Sequence, residues 1–397
     1  MERVLTSELA AHTGETVLLQ GWLHRQRRLA NVSFLVLRDR EGLAQVVLDE
    51  AVDLLLETVL EVRGRAVASV QAPGGVEVHE PELHVPAEPQ GIPPVELHRP
   101  EPRESLPVRL DHASVALRHP AVRDRFRLGA RAVGAFRRTL DELGFTEIQT
   151  PKLVGAATEG GASVFRVDYF GSDAYLAQSP QLYKQVLVGV FERVYEVGPA
   201  FRAEPHETGR HLSEFVSLDA ELGFVRDHRD VTAVVERCVR AMLEAVGQPA
   251  AETIPVVRFA DVRSGDEPDL APEDERRICA EHGELVFVEG FPTAKRAFYT
   301  HPGPDPEWSN SFDLLYRGIE IVSGSQRLHR YQDYVTALTQ RGLDVDSFGG
   351  YLEAFQYGLP PHGGFALGLP RFLAQVVGAG NLRETTLFPR DRNRLRP

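Results

Sequence analysis

The 397-residue chain has only two cysteines, three lysines and no apolar run approaching the roughly 20 residues that span a bilayer. Cys238 and Cys279 stand apart from each other and from any CxxC or histidine spacing, which argues against a disulfide framework and a structural zinc site. The first residues, MERVLTSELAAHTGE, lack the basic head and apolar stretch of a signal peptide, so we expect a cytoplasmic protein without membrane contact. GxGxxG and GxxxxGKS/T are both absent, which argues against a Rossmann or P-loop nucleotide site.

The charge is acidic overall, with a formal net charge of −13. This balance argues against a general nucleic-acid coat protein, which would be basic, but it leaves room for a nucleic-acid partner bound by a local patch. Nearly all positive charge is arginine, so Lys152, Lys184 and Lys295 are candidates for specific roles. With 43% hydrophobic and 25% charged residues, the composition is typical of a soluble globular protein of two or three domains.

The first 86 residues contain five short segments rich in valine and leucine that mostly alternate in polarity, which predicts strands. They are TVLLQGWLH, VSFLVLRD, LAQVVLD, VLEVRGRAV and VEVHEPELHV. AVDLLLETV, between the third and the fourth, predicts a short helix. Five strands with a helix after the third is the order of an OB-fold barrel, so we place this domain at residues 1–86.

The strand 2–3 face of such a barrel commonly holds single-stranded nucleic acid. On that face Phe34 could stack a base, and Gln45 and Glu77 could contact base edges. Three arginines predicted to lie in the loop after the first strand could contact phosphates: Arg25, Arg27 and Arg28. A barrel with a solvated basic loop explains this segment equally well when it is read alone.

Residues 87–117 are dense in proline and polar, which predicts an extended, semi-rigid linker. Apolar residues then recur at helical spacing from Phe126 to Leu143, with Gly144 as a C-cap, before the predicted strand FTEIQTP. Strands with interspersed helices and no regular βαβ alternation follow. Residues 118–397 therefore predict an α+β domain with a mixed, mainly antiparallel sheet flanked by helices.

The stretch FRAEPHETGRHLSEF concentrates charges between phenylalanines. Arg202 and Glu204 would share one face of a predicted strand, Arg210 and His211 would come from a loop, and Phe215 would begin the returning strand. A guanidinium fork suits a phosphate, a carboxylate suits an exocyclic amine, and an aromatic ring can stack on a purine. The stretch thus predicts a grip for ATP, with an ion-paired surface hairpin as the alternative.

A second cluster lies in SFDLLYRGIEIVSG, which predicts a hairpin turning near Arg317-Gly318. Asp313 and Glu320 would lie on neighbouring rungs and, with Ser323, could hold Mg²⁺ together with the phosphates of ATP. Their apolar neighbours favour side chains that point inward, although two acids on a solvated sheet edge would give the same pattern.

A third cluster is HGGFALGLPRFLAQVVG, a glycine-rich approach into a predicted helix that begins near Arg371. Glycines let the backbone come close to a ligand. Read alone, Arg371 is more simply explained as an arginine on the surface of a helix.

Together the clusters resemble the three motifs of class II aminoacyl-tRNA synthetases. The helix ending in GFTEIQTP resembles motif 1, the dimer-forming element, over residues 126–151. FRAE with RHLSEF resembles motif 2, over residues 194–224, and GLPRF resembles motif 3, over residues 363–379. An OB-fold ahead of them indicates the aspartate–asparagine–lysine subgroup. AQSPQLYKQ is similar to the signature of aspartyl-tRNA synthetases, whereas asparaginyl enzymes tend to carry a VSGQL-type sequence there.

The resemblance implies an aspartate–tRNA ligase that uses ATP and Mg²⁺, forms aspartyl-adenylate and charges tRNA(Asp) as a homodimer. Arg202 and Arg371 would be the catalytic residues. It also implies an aspartate site at Glu159, Ser179, Gln181, Lys184, Arg202, Asp219, Ser323 and Arg327. The implied ATP site consists of Arg202, Ala203, Glu204, Arg210, His211, Leu212, Phe215, Glu320, Gly368, Leu369, Pro370 and Arg371. The implied metal ligands are Asp313, Glu320 and Ser323, and the implied anticodon contacts are Arg25, Phe34, Gln45 and Glu77.

Two cations favour an aspartate substrate, because Lys184 and Arg327 would suit a side-chain carboxylate far better than an amide. The compact archaeal and eukaryotic type is indicated by the short interval between Glu221 and Asp313. Pro370 replaces an acidic residue common in such relatives, and the short region 247–299 predicts a trimmed peripheral helix.

Relatives of this type are often relaxed at one anticodon base, so tRNA(Asn) is a further expected partner. The positions implied in discrimination are His24, Gln26 and Pro73. An asparaginyl-tRNA synthetase, an asparagine synthetase derived from this domain and a non-catalytic nucleic-acid-binding or regulatory paralog are the alternatives.

Overall fold

The computed structural model describes residues 1–155, 164–205, 208–265 and 267–396. Glu159, implied above as part of the aspartate site, lies outside the described residues. The chain divides into two compact units, residues 1–123 and 124–396. Among the described residues, no helix is long and apolar enough to cross a membrane.

The first unit is built on a closed barrel of five strands in the order β1-β2-β3-β5-β4. The strands are β1 Thr16–Arg28, β2 Ser33–Arg38, β3 Leu43–Leu48, β4 Val59–Ala68 and β5 Val76–Ala87. Alternate residues such as Leu19, Leu35 and Val62 fill the interior at 1% exposure or less, because successive side chains on a strand point to opposite faces. The predicted OB-fold barrel is confirmed.

The helix predicted at AVDLLLETV is wrong, because residues 51–58 form no helix. Val52, Leu54 and Leu56 pack against the barrel while the residues between them are exposed, which is the period of an extended chain. Gln26 holds the segment there, since its side-chain amide donates to the Val52 carbonyl and its Oε1 accepts from the Leu54 N–H at 3.2 Å.

The proline-dense region 87–117 is not extended throughout. It contains helices α1 Leu106–Asp111 and α2 Ala113–Ala116, and Val95, Leu97 and Ala116 bury their side chains in a small apolar cluster. The long helix α3, Pro120–Glu142, follows directly.

The second unit contains an eight-stranded sheet in the order β12-β13-β14-β15-β16-β11-β10-β6 and a three-stranded sheet in the order β7-β9-β8. Its strands are β6 Thr146–Glu147, β7 Leu153–Val154, β8 Arg166–Tyr169, β9 Ser172–Leu176, β10 Arg193–Phe201, β11 Glu214–Gly223, β12 Val256–Arg258, β13 Leu285–Glu289, β14 Ser311–Tyr316, β15 Ile319–Gln326 and β16 His362–Gly368. Its helices are α4 Gln181–Phe191, α5 His228–Ala245, α6 Phe259–Val262, α7 Pro272–His282, α8 Tyr331–Gln340, α9 Gly349–Gln356 and α10 Leu369–Val377. The large sheet is parallel at β12–β13 and β10–β6 and antiparallel at its other pairings, so the predicted mixed, mainly antiparallel sheet is confirmed.

Helices flank the large sheet and close its core. Helix α5 packs on β14, β15 and β16, and its buried residues recur every three or four positions from Val231 to Leu243. Asp227 caps this helix by accepting from the Arg229 N–H at 2.8 Å. The β14–β15 hairpin turns at Arg317 and Gly318, both with positive φ, as a tight two-residue turn requires.

The ion pair of Arg38 and Glu57 inside the first unit provides a stability test. Arg38 Nη1 lies 2.8 Å from Glu57 Oε1, and both side chains are at most 5% exposed. We expect Glu57→Gln to lower the free energy of unfolding of this unit by about 3–5 kcal/mol, because a buried guanidinium loses its counter-charge. Urea unfolding followed by Trp22 fluorescence in a Trp308→Phe background would measure the loss, since Trp22 and Trp308 are the two tryptophans.

Glu61→Gln is the matched control, because Glu61 is 36% exposed and the loss expected there is about 1 kcal/mol or less. Equal losses for the two variants would contradict the prediction.

Candidate active site

Two adjoining clefts open at the β11, β15 and β16 strands of the second unit. One cleft holds about 670 Å³ of empty space and is lined by Arg202, Glu204, Arg210, His211, Leu212, Phe215, Ser217, Glu320, Ile321, Ser323, Ala366, Gly368, Pro370, Arg371 and Leu382. We call it the outer cleft. The other, which we call the inner cleft, is lined by Ser179, Gln181, Arg202, Asp219, Arg296, Ala297, Tyr299, Thr300, Ser311, Ser323, Gly324, Ser325, Arg327 and Ala366. Arg202, Ser323 and Ala366 belong to both, so the two clefts meet there.

The outer cleft brings together the residues predicted to grip ATP. The Arg202 guanidinium lies over the Phe215 ring at 5.3 Å from its centre, and His211 Nε2 lies 3.2 Å from Glu204 Oε2. The prediction that Arg202 and Glu204 lie on a strand is wrong, because β10 ends at Phe201 and both residues, with Ala203 between them, are in the following loop. The Arg202 N–H still donates to the Ser213 carbonyl at 2.9 Å, which fixes where this loop leaves the sheet.

Arg210 reaches the outer cleft from the same loop and pairs with a carboxylate that the sequence analysis did not identify. Its Nη1 lies 2.8 Å from Oε2 of Glu275, on helix α7, and the other oxygen of Glu275 accepts from the Glu320 N–H at 3.2 Å. Burial raises the pKa of Glu275, an effect that Arg210 opposes. Glu275 therefore ties the arginine to the strand that carries Glu320.

Arg371 enters the outer cleft from the first turn of α10, where Leu369 is the first residue and packs against the core. Its Nη1 donates to the Glu320 carbonyl at 3.1 Å and lies 3.3 Å from Glu320 Oε2; this carboxylate raises the pKa of Arg371. Pro370 fits this position because a proline in the first helical turn needs no backbone donor. The Pro370 carbonyl accepts a hydrogen bond from Thr385 Oγ1 at 3.0 Å, so the proline is accommodated at the start of α10.

The candidate metal residues lie on the β14–β15 hairpin, where Ser323 lines both clefts, Glu320 lines the outer cleft and Asp313 lies behind them. Asp313 pairs with Ser323 across the two strands, and an irregularity after Leu314 sets Glu320 opposite Leu315. The Leu314 pair lies between them, so the prediction that Asp313 and Glu320 lie on neighbouring rungs is wrong. Burial raises the pKa of Asp313 to about 6, Arg296 opposes this and Glu320 adds to it. Asp313 Oδ1 is buried without a hydrogen-bond partner, and among the described residues no group of three or more acids, histidines or cysteines is arranged to hold a metal.

A buried cluster of four charges forms the floor behind the inner cleft. Arg327 Nε lies 2.9 Å from Glu221 Oε1, and Lys184 Nζ lies 3.4 Å from Glu221 Oε2 and 3.0 Å from Asp219 Oδ1. Both cations thus contact the protein's own Glu221, whereas their predicted contact with a substrate carboxylate stays a prediction. Arg327 lines the inner cleft directly, whereas Lys184, at 1% exposure, lies one layer deeper.

The remaining groups of the inner cleft are oriented by neighbours. The Gln181 N–H donates to Ser179 Oγ at 3.1 Å, and Gln181 Oε1 accepts from Arg327 Nη2 at 3.4 Å. Asp219 Oδ2 accepts from Ser217 Oγ at 2.6 Å. Within the part of the chain that the structure describes, Gln181 Nε2 is buried without a hydrogen-bond partner.

Gly364 on β16 makes the charge cluster sterically feasible. A Cβ at this position would collide with Glu221 Oε2 and with the Ala220 carbonyl on the neighbouring strand. Gly364 therefore admits the Glu221 carboxylate between two strands.

Three functional candidates were missed by sequence reasoning: Glu221, Glu275 and Arg296. Glu221 had a signal, because it lies two residues after Asp219 on a strand and so shares its face. Arg296 pairs with Asp313 at 2.9 Å and Glu275 pairs with Arg210, but both come from distant segments and no local pattern marks them.

Comparison with known proteins identifies the family. A family model described as tRNA synthetases class II (D, K and N) matches residues 105–392, and a model described as OB-fold nucleic acid binding domain matches residues 17–86. The aspartate–tRNA(Asp/Asn) ligase of Thermus thermophilus is 43% identical over 422 residues and all of both chains is covered.

Two further relatives extend the comparison. The aspartate–tRNA(Asp) ligase of Thermoplasma volcanium is 39% identical over 96% of each chain. A crystal structure of asparaginyl-tRNA synthetase from Pyrococcus horikoshii complexed with asparaginyl-adenylate is 30% identical and superposes over both full chains with a TM-score of 0.93. The chain belongs to the class II tRNA synthetases of the D, K and N group.

For a class II synthetase with an OB-fold, the outer face of the barrel is the second candidate site. Phe34 is half-buried on β2, and Gln45 Nε2 donates to Glu77 Oε2 at 2.7 Å between neighbouring strands. Arg25 is exposed and pairs with Val36 in the β1–β2 register. The predicted loop location of Arg25, Arg27 and Arg28 is wrong, because β1 continues to Arg28.

Two of the positions predicted to discriminate between tRNAs have polar groups that are already engaged within the barrel unit. His24 is 6% exposed at an irregularity of β1, and its Nδ1 lies 3.0 Å from Arg38 Nη1. The nitrogen and the oxygen of the Gln26 side-chain amide are hydrogen-bonded to the backbone of Val52 and Leu54. Pro73 lies in the short 3₁₀ turn Pro73–Gly75 and remains half-exposed.

The buried His24 gives the barrel a defined pH dependence. Burial, helped by the Arg38 charge, lowers the pKa of His24 from 6.5 to about 4. Between pH 6.5 and about 4 the unfolded chain therefore binds a proton at His24 that the folded barrel does not bind. The free energy of unfolding is highest above pH 6.5 and falls by a few kcal/mol as the pH drops toward 4. We expect His24→Gln to flatten this slope, measured by urea unfolding with Trp22 fluorescence at each pH. Parallel pH profiles for the two proteins would refute the assignment.

Proposed function

We propose that the chain is an aspartate–tRNA ligase, which activates L-aspartate with ATP and transfers the aspartyl group to tRNA. The observation that carries the proposal is the position of Arg202, which lines both clefts. A guanidinium at this junction would contact the α-phosphate of ATP on one side and the α-carboxylate of the amino acid on the other. Those two groups react with each other when an adenylate forms.

In the first step the α-carboxylate oxygen attacks the α-phosphorus in line, and the bond to pyrophosphate breaks. The protein contributes position and charge rather than covalent chemistry. Phe215 would stack on adenine, and Arg210 and Arg371 would hold the outer phosphates while Glu275 and Glu320 keep both guanidinium groups in place. In the second step a hydroxyl of the tRNA 3′-terminal ribose attacks the aspartyl carbonyl, and AMP leaves.

Selection of aspartate would rest on the floor of the inner cleft. Arg327 presents its Nη atoms toward Ser325 and Gln181 and would bind the side-chain carboxylate through two hydrogen bonds, with Lys184 adding positive potential from behind. An amide gains less from two cations. Asp219 and Gln181 would bind the α-ammonium group, and Ser179 and Ser323 would line the same site.

We propose a Mg²⁺ site beside Ser323, where the clefts meet. Asp313 pairs with Arg296 through Oδ2, but its buried Oδ1 has no hydrogen-bond partner among the described residues. A second carboxylate lies close enough to raise the pKa of Asp313, and Ser323 lies across the hairpin. Two protein carboxylates with phosphate oxygens make a usual magnesium site. Asp313, Glu320 and Ser323 would hold the ion, which would neutralise charge on the phosphates of ATP.

Replacement of Arg327 by lysine tests the amino-acid assignment. Arg327→Lys keeps the charge but loses the planar fork, so we expect the KM for aspartate in ATP–pyrophosphate exchange to rise about 100-fold while the KM for ATP stays within a factor of about two. Arg276→Lys, at an exposed arginine of helix α7, is the matched control. Exchange driven by asparagine rather than aspartate would contradict the proposal, and no exchange with either would support a non-catalytic paralog.

The tRNA partner is proposed to be tRNA(Asp) together with tRNA(Asn). The Thermus thermophilus relative is named for both tRNAs, whereas the Thermoplasma volcanium relative is named for tRNA(Asp) alone. Discrimination at one base is worth about 1–3 kcal/mol and needs free polar side chains. The burial of His24 and the occupied amide of Gln26 leave fewer of these groups, which favours relaxed recognition.

Charging of the two tRNAs in parallel tests this expectation. We expect kcat/KM for tRNA(Asn) to lie within about ten-fold of that for tRNA(Asp), because less than one good base contact separates them. Refusal of tRNA(Asn) under conditions that charge tRNA(Asp) would show strict discrimination and contradict the prediction.

A homodimer is proposed from an apolar groove on the second unit. Phe126 and Val133 of α3 line it together with Val216, Leu387 and Phe388, of which the last three are 38–54% exposed. A contiguous apolar surface of this kind marks an interaction site. The motif 1 resemblance of α3 makes a second copy of the chain the expected occupant.

Substitution at Phe388 tests the dimer. Phe388 and Phe224 are both exposed phenylalanines with positive φ, but only Phe388 lines the groove. We expect Phe388→Asp to raise the dimer dissociation constant at least about 100-fold, since a buried unpaired charge costs several kcal/mol. Sedimentation equilibrium would measure it, with Phe224→Asp as the control. A monomer before substitution, or an equal effect of both changes, would refute the proposal.

A further inference from the structure

The segment 382–396, which follows α10, is hydrogen-bonded to described residues of the loop after β10, within 202–205 and 208–213. The Leu382 N–H donates to the Gly209 carbonyl at 2.9 Å, and the Ser213 N–H donates to the Arg390 carbonyl at 2.8 Å. Leu382 also lines the outer cleft. The segment therefore forms part of the rim of that cleft.

Two arginines of the segment bind the same loop through their side chains. Arg383 Nη1 donates to the Thr208 carbonyl at 3.2 Å, and Arg392 Nη1 donates to the Pro205 carbonyl at 3.0 Å. Arg383 Nε also pairs with Asp391 within the segment, and both of these side chains are at most 10% exposed. Arg383 is thus a positioning residue for the loop that carries Arg202 and Arg210.

Arg392 and Arg396 differ from the arginines inside the cleft. Both are exposed, and within the described part of the chain neither has a carboxylate partner, whereas Arg210 and Arg371 are neutralised by Glu275 and Glu320. The bond from Arg392 to Pro205 places this residue beside the loop of the outer cleft, and Arg396 follows four residues later. In a protein with a net charge of −13, guanidinium groups without a carboxylate partner among the described residues create a local positive potential.

We propose that the segment 382–396 is a phosphate-binding rim for the single-stranded 3′ end of the tRNA, with Arg392 and Arg396 as its phosphate contacts. This inference rests on the proposed function, because the 3′-terminal ribose must then reach the aspartyl-adenylate beside Arg202. The nucleotides that precede this ribose have to cross the rim of the outer cleft. A guanidinium fork suits their phosphate oxygens and reads no base, so the contact would serve every tRNA that the enzyme charges.

The double variant Arg392→Gln with Arg396→Gln tests the proposal in the full-length protein. We expect kcat/KM for tRNA in aminoacylation to fall about ten-fold more than kcat/KM in ATP–pyrophosphate exchange, which needs no tRNA and reports any effect of the lost Arg392 bond to Pro205. The slope of the logarithm of kcat/KM against the logarithm of salt concentration should become shallower by about 1.4, since each phosphate contact on a single strand contributes about 0.7.

Two controls separate a specific contact from a general loss of charge. Arg229→Gln removes an arginine that is 72% exposed on helix α5 and should change neither aminoacylation nor its salt slope. Fluorescence anisotropy should show weaker binding of intact tRNA by the double variant. A tRNA trimmed of its 3′ single-stranded nucleotides should bind the variant and the unsubstituted protein equally.

Each remaining outcome decides against one claim. Unchanged aminoacylation and salt slope, or an equal loss of affinity for intact and trimmed tRNA, would overturn the phosphate-binding rim. A parallel loss of pyrophosphate exchange would overturn it too, because the segment would then act only as structural support for the outer cleft. Absence of aspartate-driven exchange in the unsubstituted protein would refute the proposed function instead, and the anisotropy comparison would still decide whether the rim binds the 3′ end.

Discussion

The catalytic unit depends on four charges buried together between strands β11, β15 and β16 and helix α4. Lys184, Asp219, Glu221 and Arg327 carry two positive and two negative charges at no more than 6% side-chain exposure. Removal of charges from water costs several kcal/mol per ion, and only close pairing with further hydrogen bonds offsets this cost. The Phe365 carbonyl supplies such a bond to Lys184 at 3.0 Å, and Gly364 leaves the space in which Glu221 meets both cations. A substrate carboxylate therefore meets an arginine whose position is already fixed.

A layer of neutral polar groups lies next to this cluster of charges. Gln185 Nε2 donates to the Tyr334 hydroxyl at 3.1 Å, and the Tyr351 hydroxyl donates to Gln185 Oε1 at 2.9 Å. Burial raises the pKa of both tyrosines and lowers that of His362, beside Gln185, to about 4. All three side chains are therefore uncharged near neutral pH. The four ionised groups alone therefore set the net charge of the floor, and the neutral layer adds no charge to it.

Patterns within one segment were readable from the sequence, whereas pairings between distant segments were not. The strands of the barrel, helix α3 and the turn at Arg317-Gly318 follow from alternation, helical spacing and turn chemistry. Resemblance to the three motifs located Arg202, Phe215 and Arg371. Local patterns failed at AVDLLLETV, because its apolar residues pack as an extended chain on the barrel, and at the strand end after Phe201. Glu275 and Arg296 act on the site only through long-range ion pairs, for which the sequence contains no signal.

The shared wall of the two clefts has a thermodynamic consequence. Since one guanidinium, Arg202, borders both compartments, occupancy of either one alters the electrostatic environment that the second ligand meets. Free-energy linkage then requires reciprocity: whatever factor the amino acid applies to nucleotide affinity, the nucleotide must apply to amino-acid affinity. An alteration of Arg202 itself therefore shifts both affinities together.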